Sequence, residues 1–232
     1  MSNFRTAPLP PMPKPTPRPS PRRRLKFRFP LAALIVMLSA GALAAAPEAC
    51  YVVRNGDSLG RIATRCGTSV AEISRHNKLP GDIVHVGQVL KIAAPFQKVA
   101  PDKISWRHPF NGKSGRVLRT FGAQAGSVVT RRTGSDIAYP AGGEVVAPAN
   151  GLVRYVGEQA GYGTLAIIDH GGGFATVLSP LDPSDLEIEA GRIVLKGEPL
   201  GRTGPPAEGK EPYLHVELRV QSEAVDPSRL LR

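Results

Sequence analysis

The chain has 232 residues, of which 41% are hydrophobic, and its 30 Lys and Arg against 19 Asp and Glu give a formal net charge of +11. Eight of the basic residues and none of the acidic ones lie in residues 1–46, so the rest of the chain carries 22 basic and 19 acidic residues, a net charge of +3. Because this charge is small and no basic stripe alternates with aromatic residues, the composition excludes a nucleic-acid-binding protein and leaves room for one small and one moderate core.

The N-terminal segment, residues 1–46, is predicted to direct export. Residues 1–30 contain nine prolines, and the 16 residues 31–46 form an apolar run that ends in alanines. A basic segment followed by such a run is typical of a signal sequence, and Ala42-Leu43-Ala44 fits the pattern of a cleavage site. The alternative is an uncleaved anchor, which is short against the roughly 20 residues that span a membrane. We therefore predict a periplasmic protein that touches the membrane only through this segment, and that stays at the inner membrane if the segment is retained.

Residues 50–92 predict a small unit with the order β-α-α-β. A strand-like run at 51–53 precedes a turn and helix cap at 55–58. Ser69 and Glu72 have the spacing of a capping box, which starts a second helix, and the chain returns as a strand over residues 84–92. The first helix is indicated by apolar residues with a spacing of three and four: Leu59, Ile62, Ala63 and Cys66.

This unit resembles the LysM domain family. The family's Y-x-V-x-x-G-D-S-L opening is present at residues 51–59, and its N-x-L and G-Q-x-L motifs are present at 77–79 and 87–90. The resemblance implies binding of N-acetylglucosamine chains, which in an exported protein are the glycan strands of peptidoglycan. It places the glycan-binding residues in two loops: Gly56, Asp57, Ser58, Leu59, Asn77, Leu79, Pro80, Gly81, Asp82 and Ile83. The simpler alternative is that Asp57 and Ser58 cap one helix and Asn77 ends the next, and both roles can hold together.

The two cysteines of the chain, Cys50 and Cys66, both belong to this unit. In an oxidising compartment we expect them to form a disulfide, which for a loop of about fifteen residues would stabilise the domain by roughly 3 kcal/mol. An alternative is that Cys50 is lipidated. Residues 47–49, Pro-Glu-Ala, lack the aliphatic and small residues of a lipidation signal, so the sequence favours the disulfide.

The remaining chain predicts a linker and an all-β domain. Residues 93–105 contain two prolines and no periodicity, which indicates a short semi-rigid linker. Residues 106–232 contain no long amphipathic helix pattern, which argues against a βαβ enzyme fold. Short β-rich runs are separated by Gly- and Pro-rich turns, at residues 135–139, 151–156, 164–169 and 174–179. The fold class is therefore mainly β, with a small α+β domain at its start.

Three segments of the all-β domain resemble the signature of LytM-type (lysostaphin-like) zinc endopeptidases, which implies the duplicated hybrid motif fold. The family's H-x-G-x-D corresponds to Arg-Thr-Gly-Ser-Asp at 132–136, T-x-Y-x-H to Thr-Val-Leu-Ser-Pro at 176–180, and H-x-H to Tyr-Leu-His at 213–215. The resemblance assigns the zinc ligands to the positions of Arg132, Asp136 and His215. It assigns proton transfer and oxyanion stabilisation to the positions of Pro180 and Tyr213.

Of these five positions, only Asp136 and His215 keep a residue that the chemistry needs. Arg132 is always charged and has no lone pair to donate, so we expect it to exclude zinc and pair with Asp136. Proline cannot transfer a proton. The sequence therefore predicts no catalysis, no metal and no other cofactor. Alternation along the strand at 213–220 places Tyr213, His215, Glu217 and Arg219 on one face.

The combination of an export signal, a LysM unit and a degenerate LytM-like domain resembles the EnvC/NlpD-type activators of cell-wall amidases. The resemblance implies that the vacated groove binds an amidase and relieves its autoinhibition. The candidate groove residues are Arg132, Asp136, Tyr162, Leu178, Tyr213 and His215. Two alternatives stay open at this point: a zinc endopeptidase that cleaves peptidoglycan cross-links, and a purely structural peptidoglycan-binding protein.

Overall fold

The computed structural model describes residues 49–93, 95–96, 100–111, 115–123, 132–205 and 211–231. The predicted export segment, residues 1–46, lies outside the described residues. Within them, no helix is both long and apolar enough to cross a membrane.

The small N-terminal domain has the predicted β-α-α-β order. Its elements are β1 (Cys50–Val52), α1 (Leu59–Cys66), α2 (Val70–Asn77) and β2 (Val89–Lys91). Each helix starts at a serine whose side chain accepts a backbone N–H one turn later, Ser58 from Arg61 and Ser69 from Glu72. All four apolar residues that predicted the first helix are buried. The returning strand is shorter than expected, because a turn at Gly87 with φ of 84° precedes it.

The larger domain is a single antiparallel β system. Its strands are β3 (Val117–Arg119), β4 (Ser135–Ala138), β5 (Glu144–Val146), β6 (Gly151–Gln159), β7 (Gly163–Gly171), β8 (Phe174–Leu186), β9 (Ile193–Val194), β10 (Pro199–Thr203), β11 (Tyr213–Val220) and β12 (Glu223–Val225). The main sheet has the order β3-β4-β11-β8-β7-β6-β9, with β12 on β11 and with β10 between β5 and β8. Short 3-10 turns lie at Pro101–Lys103 and Pro227–Leu230. The predicted mainly β fold class is confirmed.

Strand β11 separates the core from the polar face of the sheet. Leu214, Val216 and Leu218 are fully buried in the main hydrophobic cluster. His215 and Glu217 alternate with them and point to the opposite face, where polar partners surround them. The alternation predicted for this strand therefore places its polar side chains together.

The two domains share a hydrophobic core at their junction. Leu152 of β6 and Ile193 of β9 belong to the same buried cluster as the core residues of the small domain. Phe96 of the predicted linker is only 2% exposed and packs in this cluster. The backbone N–H of Cys50 donates to the carbonyl of Gly191 at 2.7 Å. Phe96, within the predicted linker, thus packs in a core to which both domains contribute.

Buried charge also joins the domains. Glu198 is 7% exposed and forms ion pairs with Arg54 of the small domain and with Arg192 of the larger one. It also accepts the backbone N–H of Leu195 at 2.7 Å. A buried carboxylate that holds one cation from each domain resists their separation, because separation would remove one of its two cations, Arg54.

The predicted disulfide is not formed in the structure, which holds Cys50 and Cys66 as thiols. Tyr51 is the middle residue of β1, and its side chain points into the core that contains Cys66. Side chains alternate along a strand, so Cys50 points to the other face of β1 and away from Cys66. Burial raises the pKa of the Cys66 thiol to about 12, which makes it unreactive at neutral pH.

Candidate functional site

The polar face of the large sheet carries a row of charged side chains across three neighbouring strands. In the strand register, Asp136 on β4 lies directly between Arg119 on β3 and His215 on β11. The ring Nδ1 of His215 donates to Asp136 Oδ1 at 2.5 Å, and Arg119 Nη1 donates to Asp136 Oδ2 at 2.7 Å. The Asp136 carboxylate is 3% exposed and has a partner on each oxygen.

Arg132 forms the predicted ion pair with Asp136, but the contact is a long one. Its Nη1 lies 3.8 Å from Asp136 Oδ2, which is within ion-pair range but beyond a hydrogen bond. Arg119 makes the hydrogen bond in its place. Sequence reasoning missed Arg119, because it belongs to no motif and meets Asp136 only through the pairing of β3 with β4.

A second carboxylate, Glu217, lies beneath His215 and is fully buried. Its Oε1 accepts from His215 Nε2 at 3.1 Å, from Thr133 Oγ1 at 2.6 Å and from the hydroxyl of Tyr162 at 2.8 Å. Its Oε2 accepts from Arg219 Nε at 2.8 Å. Glu217 is therefore the centre of the buried network, although no family motif includes it.

The charges of this network alternate. Burial lowers the pKa of His215, but its hydrogen bonds to Asp136 and Glu217 outweigh burial and raise that pKa to about 9. Burial raises the pKa of Glu217, but the hydrogen bond from His215 and the charge of Arg219 bring it down to about 2. The pKa of Asp136 is also held below its usual range by His215 and Arg119, against burial. At neutral pH the network therefore contains three cations and two anions in alternation. In order, these are Arg119, Asp136, His215, Glu217 and Arg219.

This donor set does not fit a zinc ion. A zinc ligand must offer a free lone pair, whereas both ring nitrogens of His215 donate to carboxylates. Both oxygens of Asp136 already accept hydrogen bonds, and the guanidinium of Arg132 has no lone pair. Within the described residues, no three or more His, Cys, Asp or Glu side chains are grouped so that they could hold a metal.

Two tyrosines border the network. The Tyr162 ring lies edge-on to His215, with ring centres 5.5 Å apart, and burial together with the charge of Glu217 raises its pKa to about 12. Tyr213 is half-buried, and the guanidinium of Arg119 lies 5.7 Å from its ring centre. Tyr213, Arg132 and Arg119 are therefore the accessible residues at the mouth of the groove, with 29% of the Arg132 side chain and 35% of the Arg119 side chain exposed. We define the groove as the space above Arg119, Arg132, Asp136, Tyr162, Tyr213 and His215.

One predicted groove residue on β8, Leu178, lies elsewhere than expected. Leu178 is fully buried in the main core, opposite Val216, so it does not line the groove. The neighbour of His215 on the polar face is Ser179. The motif alignment predicted that Leu178 lines the groove. Side chains alternate along β8, so Ser179 occupies that face instead. Pro180 lies near the turn that carries Tyr162, since a Cβ added at Gly163 would be 3.4 Å from the Cβ of Pro180.

The predicted glycan-binding residues of the small domain divide into two groups. Asp57 accepts from the Tyr51 hydroxyl at 2.8 Å and pairs with Arg65, with its side chain 2% exposed. Asn77 bonds the backbone N–H and carbonyl of Lys91, both at 2.8 Å, and Leu59 is buried. These three side chains support the fold, and Leu79 is half-buried against the same core. Those left exposed to solvent are Gly56, Ser58, Pro80, Gly81, Asp82 and Ile83, of which Ile83 is 80% exposed.

Comparison with known proteins places both domains. The family model of Peptidase family M23 matches residues 130–227, and that of the LysM domain matches residues 51–93. The chain is 30% identical over 210 residues to the uncharacterized lipoprotein YgeR of Escherichia coli, which covers 78% of this chain and 80% of YgeR. It is 33% identical over 132 residues to the murein hydrolase activator NlpD of Escherichia coli, over 55% of this chain and 31% of NlpD. The chain thus spans about a third of the length of NlpD. A zinc-containing peptidase from Vibrio cholerae is 20% identical with a TM-score of 0.49, over 77% of this chain and 69% of that one.

Proposed function

Because the chain belongs to peptidase family M23 and carries a LysM domain, we propose that it is an exported, non-catalytic peptidoglycan-binding protein that activates cell-wall amidases. Its domains and its similarity to a murein hydrolase activator support a role at peptidoglycan. Activation rather than hydrolysis is the finer proposal.

The observation that carries this proposal is the chemistry of the groove. A hydrolase of this family type needs a metal and a group that moves a proton, whereas this groove offers a hydrogen-bonded chain of ions. His215 holds two protons between two carboxylates, and Glu217 accepts from four side chains. Such a saturated network has no open position for a substrate carbonyl or a water nucleophile. The groove is thereby suited to binding and not to catalysis.

The mouth of the groove has residues suited to a protein partner. Tyr213 presents a half-buried ring, and buried aromatic residues often dominate protein interfaces. The Arg132 side chain is 29% exposed, and its ion pair with Asp136 is long at 3.8 Å. Its guanidinium can therefore receive an acidic side chain from the partner without losing a hydrogen bond to Asp136.

The small domain provides attachment to the glycan in this proposal. Its loops expose Ile83 and the backbone around Gly81, while Asp57 and Asn77 hold those loops in shape. Sugar rings present apolar faces, which match an exposed aliphatic side chain such as Ile83. The protein would thus hold an amidase near the strands on which it acts.

The experiment is an amidase assay on dye-labelled sacculi, with each amidase of the source organism measured alone and with the purified chain. We expect one amidase to release dye faster with the chain, and we expect the chain alone to release none. Matched variants are Tyr213→Ala at the mouth and Tyr155→Ala outside the groove. Tyr155 is a half-buried tyrosine that packs against Leu165, Ile167 and Val177, and its hydroxyl donates to the Glu158 carbonyl. If no amidase responds while the chain still binds sacculi, the protein is a structural peptidoglycan binder. Chelator-sensitive cleavage by the chain alone would make it an endopeptidase.

A further inference from the structure

We propose that Arg119, and not the aligned Arg132, takes the place of the metal ion in this site. The sequence pattern offered Arg132 as the group that excludes zinc, because it stands at a ligand position. The structure points to a residue outside every motif. This inference concerns the interior of the groove and does not depend on whether the chain activates an amidase.

The geometry at Asp136 carries the argument. One carboxylate oxygen accepts from His215 and the other accepts from Arg119 at 2.7 Å. A metal ion bound by this carboxylate would place a second positive charge beside the Arg119 guanidinium, which already holds one of the two oxygens. The Arg119 guanidinium therefore supplies the positive charge that the buried Asp136 carboxylate requires, which a zinc ion would supply in a zinc endopeptidase of this type.

The strand register makes this contact a fixed part of the fold. Arg119 and Asp136 are directly paired across β3 and β4, and Asp136 and His215 are paired across β4 and β11. Arg119 also lies over the Tyr213 ring, which limits the conformations of its side chain. Arg132 precedes β4 by a turn, has a 3.8 Å contact and is free of such a ring contact within the described residues. Of the two arginines, Arg119 is thus the one positioned by the sheet.

A specific consequence follows for any attempt to rebuild a metal site. Arg132→His restores an imidazole four residues before Asp136, at the position from which the Arg132 guanidinium now reaches within 3.8 Å of that carboxylate. This change alone should not create a zinc site, because Arg119 still neutralises Asp136. The metal should bind only when the Arg119 cation is also removed, since the carboxylate is then left without that partner.

The test uses three variants of the full-length chain: Arg132→His, Arg119→Gln with Arg132→His, and Arg119→Lys with Arg132→His. Each is equilibrated with excess zinc and desalted, and bound zinc is measured by elemental analysis and by the shift in melting temperature. We expect about one zinc per chain and a higher melting temperature only in the Gln/His variant. The Lys/His variant keeps a cation at position 119 and should retain less than about a tenth as much zinc.

Two results would overturn the proposal. Arg132→His alone could hold zinc as well as the Gln/His variant does, or the folded Gln/His variant could hold none. If the Gln/His variant does not fold, Arg119→Gln and Arg132→Gln are compared singly. Arg119→Gln should lower the melting temperature by roughly 5–10 °C and Arg132→Gln by much less, because only the first removes a charged hydrogen bond to Asp136, whereas Arg132 contacts this carboxylate at 3.8 Å. An equal or larger loss in Arg132→Gln would return the metal-excluding role to Arg132.

Discussion

The charged state of His215 gives a stability profile that can be calculated and measured. Although burial favours the neutral ring, hydrogen bonds to Asp136 and Glu217 raise its pKa from 6.5 to about 9. Below pH 6.5 the ring is protonated in both the folded and the unfolded chain, and the full stabilisation is present. As pH rises from 6.5 towards 9, the unfolded chain loses this proton first, so the free energy of unfolding falls by about 1.4 kcal/mol per unit of pH.

The window for the measurement is pH 6.5 to 8.5, in which this loss amounts to about 2–3 kcal/mol. Above pH 9.0 the unfolded Cys66 thiol would add its own loss, because its folded pKa is raised to about 12. Urea denaturation followed by circular dichroism at pH 6.5, 7.5 and 8.5 gives the slope directly. A slope near zero in the parent protein would refute the argument that His215 is an imidazolium held between two carboxylates.

Two single variants separate His215 from the rest of the chain. His215→Gln should abolish most of the slope, at the expense of stability at pH 6.5. His170→Gln is the matched control, because burial lowers the pKa of His170 to about 4 and that ring is neutral throughout the window. In the unfolded chain the pKa of His170 returns to about 6.5, which changes the stability by only about 0.4 kcal/mol across the window, so the control should keep most of the parent slope even if it is less stable. The same slope in both variants would assign the effect to other groups.

Three further predictions concern binding and domain assembly. Tyr213→Ala should weaken amidase binding roughly thirtyfold if the ring contributes about 2 kcal/mol, as interface aromatics often do, and it should leave the circular dichroism spectrum unchanged. Surface plasmon resonance measures the affinity. An unaltered affinity would mean that the partner binds elsewhere. Ile83→Asp should reduce the fraction of the protein that sediments with purified glycan strands without lowering the melting temperature, since this side chain is 80% exposed. The control is Val117→Asp on the other domain, where the valine is 50% exposed. Ile193→Ala should lower the melting temperature of the small domain as well as the large one, because the side chain lies in their shared core; calorimetry that shows only the large domain affected would contradict this.

Local patterns were sufficient to predict the elements that frame the site. The spacing of Leu59, Ile62, Ala63 and Cys66 identifies α1, and strict alternation identifies the two faces of β11. These signals depend only on the 3.6-residue and two-residue periods of helices and strands. Residues close in sequence are enough to reveal them.

The interior of the site depended on contacts between distant strands. Arg119 and Asp136 are 17 residues apart, and Thr133 and Glu217 are 84 apart, so neither pair has a local signature. Leu178 was misplaced because motif alignment does not determine which face of β8 a residue occupies. The Cys50–Cys66 disulfide was expected from compartment and spacing, neither of which reports the direction of a side chain on β1.

The shared core at the junction fixes the orientation of the small domain relative to the larger one. Ile193 and Leu152 lie within the small domain's hydrophobic cluster, and Glu198 holds an arginine from each side. If the glycan and the amidase bind as proposed, the sugar chain and the enzyme keep a constant angle and offset. The protein would then act as a rigid spacer. The amidase would hydrolyse at a fixed number of sugars from the point of attachment and not at random along the strand.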